Sequence, residues 1–431
     1  MRRMIQGTEH EYTLYCRKMN LLGVDPHILA LDLLRESDLH CAGEFLTNGS
    51  RGYYDVGHLE ISTPETSSFR DLIVWEKAGE KIVDWLRKIV EEKYLGPEVR
   101  LWAFKNNTSP DGTSYGSHEN YCVSRKLPFP EAFVRELVPH LITRMAYTGA
   151  GDIIDGKYVL SPMAYLTSSL ISGETMHSTG VLNTRDEPHA LPHRWRRLHL
   201  LVGDALMSET AIMLRHFTTS AILQLMEDNE LQDVPLLADP VRDMWNNVEH
   251  MNPDKWRVTL KDGKVVSPID VQRYYLAKVE TLVEDDEEKR AFRIWEEVLQ
   301  DLEARKSKKL ARRVEWLDRF FAIREAVKEK DALDVEMMAC KQYSEVGQDR
   351  GIFYQRQEPG LVDRVVGDEE ILRAISEPPE DTRAHLRRRL CEKHKVMAID
   401  WSYIVVDDQG RKRINMADPY SRELKEDYVP A

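Results

Sequence analysis

Glu9 and Glu11 sit in the run Met4-Ile5-Gln6-Gly7-Thr8-Glu9-His10-Glu11-Tyr12-Thr13-Leu14-Tyr15. Its Tyr, Thr and Ile content favours a β-strand. On a strand, residues two apart project from the same face, so the two carboxylates stand side by side. Such a pair repels unless a cation or a shared proton lies between them. Hard oxygen ligands suit Mg²⁺, usually alongside phosphate. The alternative is a solvated carboxylate pair on an edge strand.

A second acidic run extends from Leu46 to Glu65. Asn48-Gly49 is a strong turn signal. After it, Arg51, Tyr53 and Asp55 alternate onto one strand face. Strict alternation puts Glu60 on the opposite face, and a bulge at Gly57 would bring it back. An Arg, a Tyr, an Asp and a Glu on one face make a poor core and a plausible site. An internal ion pair, Arg51 with Asp55 or Glu60, is the alternative.

Several common nucleotide and hydrolase signatures are missing: no Walker A loop, GxGxxG, HExxH or GxSxG occurs. Bound ATP would therefore lie in a sheet-lined cavity with carboxylate-held Mg²⁺. The net charge of −13 weighs against a nucleic-acid partner. No apolar run reaches the length of a membrane span. Five scattered cysteines without CxxC spacing point to a reducing compartment, without a zinc site or disulfide framework. A cytoplasmic protein is the expectation.

With 431 residues, the chain has room for one large domain and a small one. Residues 1–65 read as strand, helix, strand, and 68–95 as an amphipathic helix. Residues 99–122 read as a hairpin turning at Pro110-Asp111-Gly112. A helix over 130–148, a strand over 157–166 and a largely helical stretch over 190–230 follow. Ser267-Pro268-Ile269-Asp270 starts a helix, with Ser as cap and Pro at the first position. The charged stretch to about 330 carries the stripe Phe292, Trp295, Leu299 and Leu302, which fits a helix packed on the body or a docking helix. Beyond Pro378-Pro379, a basic helix (383–395) and a strand pair (398–406, 411–416) suggest a small C-terminal domain. The expected class is α+β, a curved antiparallel sheet cradle with packed helices. The expected domains are 1–365 and 366–431.

Three other segments are dense in polar groups. In Tyr115–Tyr121, His118 and Asn120 share one face and fit a substrate groove, although a lone His also serves structurally. Asn183–Ala190 leads into Arg194, Arg196, Arg197 and His199, where Arg185 and Arg197 fit a bidentate phosphoryl clamp. An ion-paired loop is the alternative. Gly203–Thr210 is a polar patch in apolar surroundings, whose groups need partners and point to contact with the site.

Taken in order, GTEHEY (7–12), LTNGSRGYYDVGHLE (46–60), FKNNT (104–108), SYGSHENY (114–121), NTRDEPHA (183–190), RRLHLLVGDALMSET (196–210), RGIF (350–353), PPEDTRA (378–384) and DW (400–401) run end to end. In these stretches the chain resembles the Pup ligase and depupylase family, a branch of the glutamine-synthetase-like carboxylate–amine ligases. The resemblance implies that Glu9, Tyr53 and Glu60 bind Mg²⁺, and Glu11 joins them through its shared face with Glu9. It implies that Arg51, Thr63 and Trp401 contact ATP and that Asp55 is the essential aspartate. The implied reaction joins the C-terminal Glu side chain of a Pup-like modifier to a target lysine through an acyl phosphate.

The short Tyr15–Leu46 interval, Asp55-Val56-Gly57, FKNNT and RGIF look ligase-like, whereas SYGSHENY looks depupylase-like. His58-Leu59-Glu60 departs from the family's usual His-Pro-Glu. The ligase reading leads. A depupylase using nucleotide as cofactor and a small-molecule carboxylate–amine ligase are the alternatives.

Overall fold

The computed structural model describes residues 1–96, 98–109, 113–175, 179–327, 333–408, 410–423 and 429–430. Its centre is β1 (Gln6–Tyr15), whose residues alternate between buried and half-buried. Thr8, His10, Tyr12 and Leu14 turn inward. Glu9 and Glu11 share the other face, as a period of two requires.

Before the sheet's central hairpin come β2 (His40–Ala42) and β3 (Phe45–Leu46). The hairpin is β4 (Arg51–Asp55) and β5 (His58–Ser62). Next are β6 (Trp102–Phe104), β7 (Ser117–Ser124) and the separate pair β8 (Asp152–Ile154) and β9 (Lys157–Val159). The sheet's far edge is β10 (Ser169–Ser172), β11 (Gly180–Asn183) and β12 (Trp195–Leu200). The order is β10-β11-β12-β7-β1-β5-β4-β3-β2, and β6 also pairs with β1. All contacts are antiparallel except β10–β11, which is parallel, so the sheet is mixed.

Helices cover the buried face. Ser68 caps Phe69–Val90 by accepting from the Asp71 N–H, and Ser208 caps Glu209–Glu227 in the same way. Their apolar residues join β7 and β12 in the main core, with Ile73, Val123, Leu198 and Phe217 fully buried. The capping box at Ser267 and Asp270 forms. Trp295, Leu299 and Leu302 are buried in the main core and Phe292 packs against it, so the charged helix is a packed one.

The expected 99–122 hairpin is limited to its inner pairs, where Thr108 and Ser114 bridge antiparallel and the Tyr115 N–H donates to the Asn107 carbonyl at 3.0 Å, and it does not extend to β6 and β7. Both pair antiparallel with the same edge of β1, β7 along Gln6–His10 and β6 along Thr13–Tyr15, so they run in the same direction. The Pro110-Asp111-Gly112 turn lies outside the described residues.

The 130–148 helix is three pieces, Glu131–Glu136, Val138–Thr143 and Met145–Thr148. Pro139 at the start of the second prevents continuous helix. The strand over 157–166 ends at Val159, because Ser161 caps a short helix with Pro162 in its first turn. The helical reading of 190–230 fails over Trp195–Leu200, which β7 recruits as a strand by lateral pairing.

The C-terminal segment packs the helix Arg383–Lys393 on β15 (Val396–Ile399), β16 (Tyr403–Asp407), β17 (Arg411–Asn415) and β18 (Val429–Pro430). A further pair, β13 (Val258–Thr259) and β14 (Val265–Val266), precedes it in the chain. The expected 398–406 strand is divided between β15 and β16, which pair across a turn at Asp400–Ser402. Leu386, Leu390, Ile404, Val406, Ile414 and Met416 form a separate small core.

Cys41 and Cys391 are paired, against the expectation of no disulfide, with Cα atoms 6.4 Å apart and a sequence separation of 350. Spacing carries no trace of this pairing because folding alone brings β2 to the C-terminal helix. Cys391→Ser is expected to destabilise the oxidised protein by about 2–4 kcal/mol. Thermal unfolding with and without dithiothreitol checks this, since only the parent protein should respond to reductant. Among the described residues, no helix is long and apolar enough to cross a membrane.

Candidate active site

A cavity of about 360 Å³ lies against the half-buried face of the sheet. β1 contributes Glu9; β4 contributes Arg51, Tyr53 and Asp55; β5 contributes Glu60. Register explains the grouping. Glu11 lies opposite Glu60 on β5, and Tyr53 on β4 also lies opposite Glu60. The bulge invoked for Glu60 is not what aligns it. Val56-Gly57 is a two-residue turn that makes Asp55 and His58 partners, so 53 and 60 pair directly and share a face.

Glu11, Asp55 and Glu60 bring one oxygen each to within 4.8 Å of one another. Glu11 is held at one end, where its Oε1 accepts the Gly116 N–H at 2.8 Å. The Tyr53 hydroxyl donates to Glu60 Oε1. Burial, and then the charge of Glu9, pushes Glu60 well above the usual carboxylate range. Burial and Glu11 raise Asp55. Burial, then Glu9 and Glu60, keeps Tyr53 in its phenol form.

Glu9, His118 and His199 form a second group with ligand atoms within 4.8 Å. Burial works against the Glu9 carboxylate, but Arg197 foremost and then His118 hold it well below the usual range. Arg197 Nη2 donates to both Glu9 oxygens at 3.0 and 3.2 Å, and its Nε donates to Asn120 at 2.6 Å. Burial and Arg197 keep His199 neutral.

Arg51, Thr63, Arg185, Arg197 and Trp401 also line the cavity, whereas Glu11 lies beside it and is not one of the lining residues. Arg51 pairs with Glu44, Nε to Oε2 at 2.8 Å, rather than with Asp55 or Glu60. Its guanidinium also lies 4.5 Å from the Tyr53 ring centroid. Thr63 Oγ1 accepts the Thr8 N–H at 3.0 Å. Trp401 meets Phe45 edge-on at 5.0 Å between centroids. The clamp of Arg185 with Arg197 is divided in function. Both line the cavity, but Arg197 is committed to Glu9 and Asn120 while Arg185 is exposed.

Sequence reasoning missed how the C-terminal segment is held in place. Glu65 Oε1 accepts from Arg383 Nε at 2.5 Å and Arg387 Nη2 at 2.6 Å. Arg387 in turn lies over the Phe45 and Trp401 rings at 4.7 and 5.2 Å. Only long-range pairing reveals this network. The Gly203–Thr210 patch does not line the cavity. There Asp204 accepts the Ala150 and Met163 N–H groups at 2.8 and 2.9 Å, and burial pushes its carboxyl up to about 7.

The chain matches the family model described as Pup-ligase protein over residues 5–405. It is 33% identical to a Pup–protein ligase of Acidimicrobium ferrooxidans, covering 98% of this chain and 96% of that one. It is likewise 33% identical to the Pup–protein ligase of Kribbella flavida, covering 97% of each. A crystal structure of the complex between prokaryotic ubiquitin-like protein Pup and its ligase PafA superposes with a TM-score of 0.87 and 29% identity, covering 98% of this chain and 91% of that one. The Pup ligase PafA in complex with ADP superposes with a TM-score of 0.80 and 29% identity, covering 93% and 92% of the two chains.

Proposed function

The chain belongs to the Pup-ligase family, and from that premise we propose how its cavity joins a Pup-like modifier to a lysine. The protein is an ATP-dependent ligase whose partners are Pup and lysine-bearing proteins. One observation carries the mechanism: Glu11, Asp55 and Glu60 converge within 4.8 Å beside a cavity that Arg51, Thr63 and Trp401 line.

ATP occupies this cavity in our reading. Trp401 offers it an aromatic surface, and Arg51 and Arg185 offer guanidinium donors to phosphate oxygens. Arg197 fixes Glu9. The C-terminal segment, which we take as a small domain from about residue 366, contributes Trp401. Glu9, Glu11 and Glu60, with Tyr53 at their edge, would hold Mg²⁺. The donor set fits that ion: the oxygens are hard, and a divalent cation would offset the burial, and after it the charge of Glu9, that raise Glu60. Bound there, Mg²⁺ supplies positive charge that neutralises the transferring phosphoryl group.

The modifier's C-terminal Glu side chain takes the γ-phosphoryl group of ATP, giving an acyl phosphate and ADP. The lysine amine then attacks the acyl carbon, and phosphate leaves. Asp55 takes the proton from the lysine ammonium. Burial, the largest cause of its raised pKa, makes it a stronger base than a solvated aspartate.

The test combines purified protein, Mg²⁺–ATP, a lysine-bearing acceptor and Pup ending in Glu or in Gln, followed by mass spectrometry. The ligase reading expects the acceptor to gain modifier mass with ADP formed in step. Conversion of Gln to Glu without stoichiometric ATP loss would identify a depupylase instead. For the metal set, Glu9→Ala is expected to weaken Mg²⁺–ATP binding at least about tenfold in calorimetry. Unchanged affinity would remove Glu9 from that set.

A further inference from the structure

Cys41 and Cys391 join the outermost strand of the main sheet to the helix of the C-terminal segment. In the sheet β2 pairs with β3, so the bridge is a second attachment for an edge strand. Both cysteines are half-buried, within reach of a small thiol. The other three are poorly suited to exchange. Cys16 and Cys340 are fully buried, and burial pushes the Cys122 thiol up to about 12, away from the reactive thiolate.

Each side of the bridge positions a group that lines the nucleotide cavity. On one side, the connection after β2 carries Glu44, which holds Arg51, and β3 begins with Phe45, which meets the Trp401 ring. On the other, the helix Arg383–Lys393 carries Arg387, whose guanidinium lies over both rings. Glu65 binds Arg383 and Arg387 in the first half of that helix. Cys391 stands in its last turn, about 6 Å beyond Arg387 along the axis at a rise of about 1.5 Å per residue. The ion pairs therefore fix where the helix starts, and the disulfide fixes where it ends, against β2.

A bond that a small dithiol can open thus spans the two elements that position Arg51 and Trp401. Resting on the reading that these two residues contact ATP, we propose that Cys41–Cys391 is a redox modification site that sets the affinity for ATP. A dithiol reductant attacks one sulfur as its thiolate, giving a mixed disulfide and releasing the other cysteine. The reductant's second thiol then displaces the remaining cysteine and closes the reductant's own disulfide. Two electrons and two protons pass to the protein, whose cystine becomes two thiols. In the opened form, β2 keeps its pairing with β3 but loses its tie to the helix end. Phe45 and Trp401 then lose their fixed approach, and the ordering that the bridge supplied becomes a cost of binding ATP.

The test measures Mg²⁺–ATP binding to the full chain by calorimetry in three states: oxidised, reduced with dithiothreitol, and reoxidised. Alkylation followed by mass spectrometry counts the thiols released. Reduction is expected to free Cys41 and Cys391 and to weaken ATP binding at least about fivefold, and reoxidation to restore it. Cys41→Ser and Cys391→Ser should each bind ATP as the reduced parent does and ignore dithiothreitol. Equal affinity in the oxidised and reduced parent overturns the proposal. So does a failure of dithiothreitol to release the two thiols, or a response to it that survives in both serine variants. Trp401→Ala and Arg51→Ala separate this proposal from the reading beneath it. If they weaken ATP binding while reduction does not, this proposal alone falls. If both leave ATP binding unchanged, the nucleotide reading falls, and this proposal with it.

Discussion

Asp55→Asn is expected to slow isopeptide formation by about 10²–10⁴-fold while ATP binding stays at the parental level. The substitution keeps the side chain's shape and removes only its charge and basicity. It also relieves repulsion with Glu11 and Glu60, so the fold has no reason to suffer. The lysine arrives as an ammonium, with a pKa near 10 in water, and is not nucleophilic until it loses a proton. In the parent protein, activity should fall as acid protonates Asp55, at a pH above that of an ordinary aspartate because burial raises its pKa. In the variant, activity should instead climb with pH as free amine accumulates. Single-turnover ligation across pH, with calorimetry of ATP binding, checks both statements. Full turnover by the variant at neutral pH would remove Asp55 from the role of base.

The largest stability effect is expected behind the sheet. Lys105 is fully buried, and its Nζ donates to Glu76 at 2.8 Å, to Glu80 at 2.9 Å and to the Leu206 carbonyl at 2.8 Å. Lys105→Met keeps the aliphatic stem and leaves two buried carboxylates short of a counter-charge. Breaking a buried pair from one side costs about 3–5 kcal/mol, readable as a lower midpoint in urea.

The pH dependence follows from Glu76. Burial alone would raise it, but Lys105 foremost and then His10 hold it well below its ordinary value. A depressed carboxylate contributes stability that is full above its unfolded pKa and disappears as pH falls through the folded one. The parent should therefore lose stability on the acid side, and the variant should show a shallower acid limb. A variant as stable as the parent would mean that His10, Arg215 and Lys77 suffice for both acids.

Reading of the sequence succeeded where chemistry is local. Alternation alone placed Glu9 with Glu11, and Arg51 with Tyr53 and Asp55, each on one strand face, and His118 with Asn120 on another. Family likeness supplied Thr63 and Trp401, which strand periodicity does not reach, and the cavity does bring them together with the others. The errors share a cause. Trp195–Leu200 reads as helix until β7 offers it a partner, and β6 and β7 read as a hairpin until β1 takes both.

By itself, then, the sequence determined which side chains share a strand face, where Ser and Pro start helices and to which family the chain belongs. These depend on backbone periodicity and on residues close together in the chain. Only the tertiary structure decided that Arg197 serves Glu9, that Arg51 turns to Glu44, that Glu65 holds Arg383 and Arg387, and that Cys41 meets Cys391. An ion pair or a disulfide forms between whichever groups the fold brings within a few ångströms, and here the partners stand 188 and 350 residues apart. No local pattern records that distance.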